Sequence, residues 1–167
     1  MDDFLADAKV TMERLKALTT QIGWTYIELP EFPTGVGIAI GFGSTQYTVL
    51  SVMESWNERQ LNITAGVLRD IQQDRLTALN ICNGLVRDNP AYPVYLHDAD
   101  IGWDILVSNV FFVQLLLENP AFFAKSVRAL PQVADLVRPK FLEAGLSGQP
   151  FNWDEDNRIR LFIESMM

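Results

Sequence analysis

Cysteine and histidine are nearly missing from the 167 residues: there is one of each, Cys82 and His97. An internal disulfide is therefore impossible, and a four-cysteine zinc site is excluded. A cysteine nucleophile would have to recruit that one histidine. Basic residues are scarce too. Thirteen Lys and Arg stand against 21 Asp and Glu, the net charge is −8, and no basic run occurs. That field repels phosphate backbones, so no nucleic acid is expected as a partner, and an anionic membrane surface is equally unpromising. The oiliest run, VFFVQLLL at 110–117, is far too short to span a bilayer. The start, Met1-Asp2-Asp3-Phe4, lacks the basic region of a signal peptide. A cytoplasmic location is the expectation, and there the sequon Asn62-Ile63-Thr64 carries no glycan. Ten Gly and eight Pro are too few for a disordered chain.

What is present is an ordinary globular balance, 49% hydrophobic and 20% charged. The length suits one domain with a core that needs no metal or disulfide. Phe4, Ala8, Met12, Leu15, Leu18 and Ile22 step by three or four residues and predict a helix over 3–22, stopped by Gly23. Strands are predicted at 24–29, 35–42, 47–53 and 61–68, with hairpin turns at Gly43-Ser44-Thr45 and around Trp56. A helix follows Asp74 to about Arg87 and is ended by Asn89-Pro90. Strands at 92–98 and 102–113 come next, joined by a turn at Asp98-Ala99-Asp100. Asn119 caps a helix with Pro120 at its first position, and the apolar phase runs on through Pro131 and Pro139 to Phe141. The expectation is one long arm, kinked or broken at those prolines and ended by Gly145. Residues 1–145 form the domain, and 146–167 a tail with a short terminal helix after Trp153. Hairpins without regular strand–helix alternation argue for an α+β fold: a mostly antiparallel sheet of five to six strands with helices packed on one face.

The helix over 74–87 is oily round most of its circumference. At about 100° per residue, its apolar positions from Ile81 through Leu85, Ala78, Cys82, Val86 and Leu79 to Leu76 cover roughly 220°, about twice what one packing face requires. One side belongs on the sheet. The other is covered either by the C-terminal helix or tail, or by a second subunit, with Ala78, Ile81, Cys82 and Leu85 as the candidate dimer interface.

Motifs for chemistry are weak. Gly35, Gly37, Gly41 and Gly43 do not match phosphate-loop or dinucleotide spacings, and read as flexible strand glycines. His97, Asp98 and Asp100 could ligate a metal but form a plain hairpin turn. Trp153-Asp154-Glu155-Asp156-Asn157 lacks the glycine and spacing of a calcium loop and reads as a helix N-cap. Cys82 lies on the oily arc and reads as a core thiol. No metal, no cofactor and no enzymatic activity are expected.

The aromatic residues say more. In the strand 102–113, Trp103, Ile105, Val107, Phe111 and Val113 share one face, and Leu106, Val110 and Phe112 the other. Trp24 and Tyr26 share a face of another strand. A sheet oily on both sides with three helices to cover it predicts a binding or dimer surface. The peptide-binding candidates are Trp24, Tyr26, Trp103, Ile105, Val107 and Phe111; Trp56 and Trp153 complete the tryptophans.

The stretch DRLTALNICNGLVRDNPAYPVYLHDADIGWDILV, 74–107, resembles the bacterial YbjN family. Arg75 at a helix start, Ala78, Leu79, Asn83 and Leu85 on the helix, and Tyr95, Leu96 and Asp98 in a strand and turn match its pattern. Val86 stands where the family has a second asparagine. The match is topological over about 3–140. The resemblance implies a fold similar to type III secretion chaperones, small acidic proteins that often dimerise and hold peptide segments. It also implies the family's label of sensory transduction regulator, and it carries no catalytic residues. The expected function is a non-enzymatic, chaperone-like module, homodimeric, holding apolar segments of a client protein. The alternative is a regulatory scaffold for one folded signalling partner, with a small-molecule enzyme a distant third.

Overall fold

Period-two alternation over 35–71 and 94–112 builds one antiparallel sheet, and helical phasing elsewhere covers it. The computed structural model describes residues 2–30, 35–42, 46–53, 60–99 and 102–155. In chain order the elements are α1 (Asp2–Ile22), β1 (Tyr26–Glu28), β2 (Gly35–Phe42), β3 (Gln46–Met53), β4 (Gln60–Ile71), α2 (Arg75–Asp88), β5 (Val94–Asp98), β6 (Trp103–Phe112), α3 (Val113–Glu118) and α4 (Pro120–Glu143). The six strands pair in the order β1-β2-β3-β4-β6-β5, every pair antiparallel. The fold is α+β, as the alternation predicts. The turns at 43–45 and around Trp56, Asp100, and any terminal helix beyond Glu155 lie outside the described residues.

One face of the sheet is the core. Ile38, Leu50 and Ile63 stand opposite one another across β2, β3 and β4, as do Val52 and Leu61, and with Ile40, Ile105 and Val107 they are fully buried. Each such side chain contributes roughly 1.5–3 kcal/mol on leaving water. The helices close over this face: α1, α3 and α4 touch one another, and α2 touches α4 while resting on β5. Ala8, Met12, Leu15 and Leu18 are the buried stripe of α1. Lys16 ties that helix to β1, its Nζ lying 2.7 Å from Glu13 Oε1 and 2.9 Å from Glu28 Oε1.

The C-terminal helix is not broken. Pro131 and Pro139 both lie inside the continuous 24-residue α4. A proline withdraws the N–H that would bond the carbonyl four residues back, here that of Val127 for Pro131. The buried hydroxyl of Thr48 on β3 donates to that carbonyl at 3.2 Å, so the freed carbonyl is satisfied and the helix gains a tether to the sheet. Asn119 caps its start, accepting from Phe122 N at 3.1 Å. Glycines with positive φ end α1 at Gly23 and α4 at Gly145.

The helix α3 was not expected. Residues 113–118, VQLLLE, continue the apolar composition of β6 and lack a polar break to mark the change of period. The strand β4 is longer than its alternation suggests, running to Ile71 through register shifts after Gly66 and Leu68. Its ladder with β3 reaches only from Gln60 to Thr64. Beyond that the flank of β4 is taken over by other groups. Arg138 Nε donates to Val67 O at 2.8 Å, and Gln149 forms an antiparallel bridge with Arg69. Residues 146–155, read from sequence as a tail, are thereby part of the body: Leu146 is buried in the core, and the chain then crosses onto the sheet.

Candidate functional site

The residues expected to form an open peptide platform are mostly inside. Trp103 is 5% exposed, and Ile105 and Val107 are fully buried under the helices. Phe111 is half-buried, edge-on to Phe122 of α4 at 5.7 Å. Trp24 is half-buried, edge-on to Phe42 at 5.0 Å and 6.4 Å from Phe123. Tyr26 is half-buried on β1, at the opposite edge of the sheet from Trp103. The structure does not bring the six together, and Trp103, Ile105 and Val107 are corrected from platform to core. Period two tells which side chains share a face. It does not tell which face the helices take, and the unforeseen α3 adds a further helix to the layer among the described residues.

The proposed dimer face is corrected in the same way. Ala78 and Cys82 are buried by this chain's own β5 and α4. Burial pushes the Cys82 thiol up to about 11, which keeps it protonated and unreactive. Ile81 and Leu85 are half-buried against the core. The oily arc is therefore covered on one side by the chain itself, while its far side, Leu76 at 69% and Leu79 at 39% exposure, is open.

The motif residues at the ends of α2 and β5 have structural roles. Asp74 accepts from Thr77 N at 3.0 Å and from the Thr77 hydroxyl, which holds its carboxyl below the usual range. Arg75 Nη1 lies 2.6 Å from Asp98 Oδ1 and lowers that carboxyl as well. The start of α2 is thus pinned to the end of β5. Among the described residues no three His, Cys, Asp or Glu gather as a metal set. Asp100 lies outside those residues.

The face turned away from the helices is where the unexpected geometry lies. Val110 and Phe112 project there at 50% and 52% exposure, while half-buried Leu106 stands further back along β6, opposite Gly66. Toward the other end of the strands, the segment after Gln149 lays two rings on the sheet. The Phe151 ring sits over Gly66 of β4 and the Trp153 ring over Gly41 of β2, each where a Cβ would collide with it. Tyr47 of β3 lies between them, 6.1 Å from Phe151 and 5.6 Å from Trp153. The Arg69 guanidinium stands 5.9 Å over the Phe151 ring and 3.5 Å from Glu155. Asn152 Oδ1 accepts from the backbone N–H of Asp154 at 3.1 Å and Glu155 at 3.3 Å, capping the short turn that carries Trp153. Between this segment and α4, where β3 and β4 diverge, is a cavity of about 250 Å³ lined by Gln46, Tyr47, Gly66, Asp135, Arg138 and Phe151, among others.

Sequence reasoning missed this seat. Gly41 belongs to the glycine-rich strand read as merely flexible, and Phe151 and Trp153 to a segment read as tail. The usable signal was the pairing of strand-interior glycines with aromatics two residues apart elsewhere in the chain.

No family model matches the chain, and no curated protein matches it. Among solved structures, it is similar to the crystal structure of YbjN from E. coli, described as a candidate transcription regulator. The TM-score is 0.51 at 11% sequence identity, over 81% of this chain and 93% of that one. A likeness at that identity is a likeness of fold: the chain has a YbjN-like fold, as the resemblance over 74–107 implied.

Proposed function

We propose that the protein is a non-enzymatic, chaperone-like module that holds apolar segments of a client protein on the sheet face opposite its helices. The observation that carries this reading is the state of that face. Among the described residues no helix layer covers it; it carries half-exposed Val110 and Phe112, and an irregular segment of the chain's own already lies across it. Extended segments bind such sheets by strand-edge hydrogen bonds, with pockets for alternate side chains. The lining near the cavity offers one bound cation, Arg138, paired at 2.6 Å with Asp135, and no nucleophile–base pair. That arrangement supports holding rather than chemistry. The test is titration of a permanently unfolded model protein against the wild-type chain and against Val110→Asp/Phe112→Asp. Binding should weaken at least tenfold in the variant, with its melting curve unchanged because both side chains are half in water. Trp103→Ala is the internal contrast: it should cost roughly 3–5 kcal/mol of stability and leave affinity per folded molecule alone. No binding by the wild type would sink the reading.

A homodimer belongs to the same proposal. Leu76 and Leu79, rather than Ala78 and Cys82, are then the side chains of α2 that reach the second copy. A second reading, a regulatory module for one folded protein, is favoured by the description of the E. coli YbjN structure as a candidate regulator. The two differ in the partner's state: a scaffold should bind its target folded and ignore the unfolded probe.

A further inference from the structure

We propose that the seat formed by Gly41, Tyr47, Gly66 and Arg69 recognises segments of the pattern aromatic-x-aromatic-x-acid, and that Phe151-Asn152-Trp153-Asp154-Glu155 is its resident occupant, displaced by a client segment of the same pattern. This rests on the peptide-holding reading above and names the class of client.

Three features carry it. First, neither Gly41 nor Gly66 has a positive φ, so no backbone conformation demands glycine there. Glycine inside a strand is destabilising and marks a place where something approaches closely. Two strands each accept that cost directly beneath a ring of the same short segment. The room is for aromatic side chains.

Second, the contacts alternate along the occupant. Gln149 bridges to the backbone of Arg69, the Phe151 ring takes Gly66 and the Arg69 guanidinium, the Trp153 ring takes Gly41 and Tyr47, and Glu155 returns to Arg69. The segment pairs with the strand edge only at Gln149, then crosses the sheet face and closes in a helical turn at 153–155, so its side chains and not a backbone ladder carry the recognition. The occupant's carboxylate suits the seat's arginine, which serves both the first ring and the acid.

Third, the occupant is lightly held. Among the described residues its backbone approach to the sheet is paired only at Gln149, just before it, while Phe151 and Trp153 are half-buried and the acid of its ion pair is mostly in water. A pair 3.5 Å long whose carboxylate is in water contributes little, although the Arg69 side chain is itself largely buried. The segment stays because it is tethered, at an effective concentration on the order of millimolar, which a client of higher intrinsic affinity overcomes.

The experiment uses the full-length chain. Phe151→Ala/Trp153→Ala empties the seat, and a fluorescein-labelled synthetic peptide of residues 147–155 is the probe. It should bind the variant saturably and the wild type at least tenfold more weakly. Adding Gly66→Val, or replacing both aromatics of the peptide by alanine, should abolish binding. If the variant does not fold, ¹⁵N-labelled wild type with excess unlabelled peptide gives the answer: the amide resonances of Gly41 and Gly66 should shift saturably. Equal binding by variant and wild type, or neither binding nor shift, would mean that the segment is a fixed part of the body. Self-association of the wild type that the peptide reverses would assign the seat to a second copy and overturn the client. Failure here is separable from failure of the parent reading. If the unfolded probe still binds at Val110 and Phe112 while the peptide does not, the holding function stands and the aromatic pattern falls.

Discussion

Pro131 takes a donor out of the middle of α4, and Thr48 supplies one from β3. Thr48→Val keeps the shape and removes the hydroxyl, leaving the Val127 carbonyl buried without a partner. That should cost about 1–3 kcal/mol, read from denaturant melts. In a Pro131→Ala background the helix recovers its own donor, so the same substitution should cost less; equal cost in both backgrounds would show that the hydroxyl does not stand in for the missing N–H. Asp98 makes a second prediction. Arg75 holds its carboxyl below the ordinary 3.8, so the folded state binds that proton less readily than the unfolded chain. The stabilisation is complete above about pH 4 and is lost as pH falls through the lowered folded value. Arg75→Gln should raise the Asp98 titration, followed by carboxyl NMR, toward its ordinary range; an unmoved titration would mean that the pair does not form in solution. At this scale the sequence was legible where a residue's chemistry acts locally. The Asp74 and Asn119 caps and the glycine stops at Gly23 and Gly145 were all readable. Thr48 to Val127, and Gly41 to Trp153, were not, because nothing local marks partners so far apart in the chain.

Strands and helices with a clean period were readable, and their limits were not. The helix α1, the β2–β3 pair and α2 lie where periodicity puts them, whereas α3 is hidden in a uniformly apolar run and β4 outlasts its alternation through two register shifts. The long arm expected through Pro131 and Pro139 is there as one helix, α4, without a break at either proline. The oily helix α2 divides the same way. Its 220° arc, roughly, was visible, and the structure splits it into a side covered by β5 and α4 and a side ending in Leu76 and Leu79. If that open side meets a second copy, light scattering at micromolar concentration gives twice the 18.9 kDa mass, and Leu76→Glu/Leu79→Glu returns the chain to a monomer with its melting curve unaltered. A wild-type monomer at those concentrations removes α2 from the list of interfaces.

For the whole molecule the balance of forces is set by charge and by the unequal faces of the sheet. At −8 the chain repels a phosphate backbone, while the face away from the helices carries apolar and aromatic side chains and the one seat described above. That charge is the physical reason to expect protein contacts rather than a direct grip on DNA. The two modes differ in their response to salt. Binding that neutralises six to ten phosphates loses about 10³–10⁵ in affinity between roughly 50 and 200 mM salt. Binding driven by apolar burial is insensitive to screening over that range and carries a negative heat-capacity change instead. Anisotropy titrations of labelled duplex DNA at low salt should show no saturable binding. Titrations of the unfolded-protein probe across the same salt range should change by less than about threefold, since apolar burial carries the binding and long surface pairs such as Arg69–Glu155 contribute little. Calorimetry at several temperatures should give a negative heat capacity of binding. Saturable DNA binding with a steep salt slope would reverse the assignment, because it would require a cationic surface that 13 dispersed Lys and Arg do not supply.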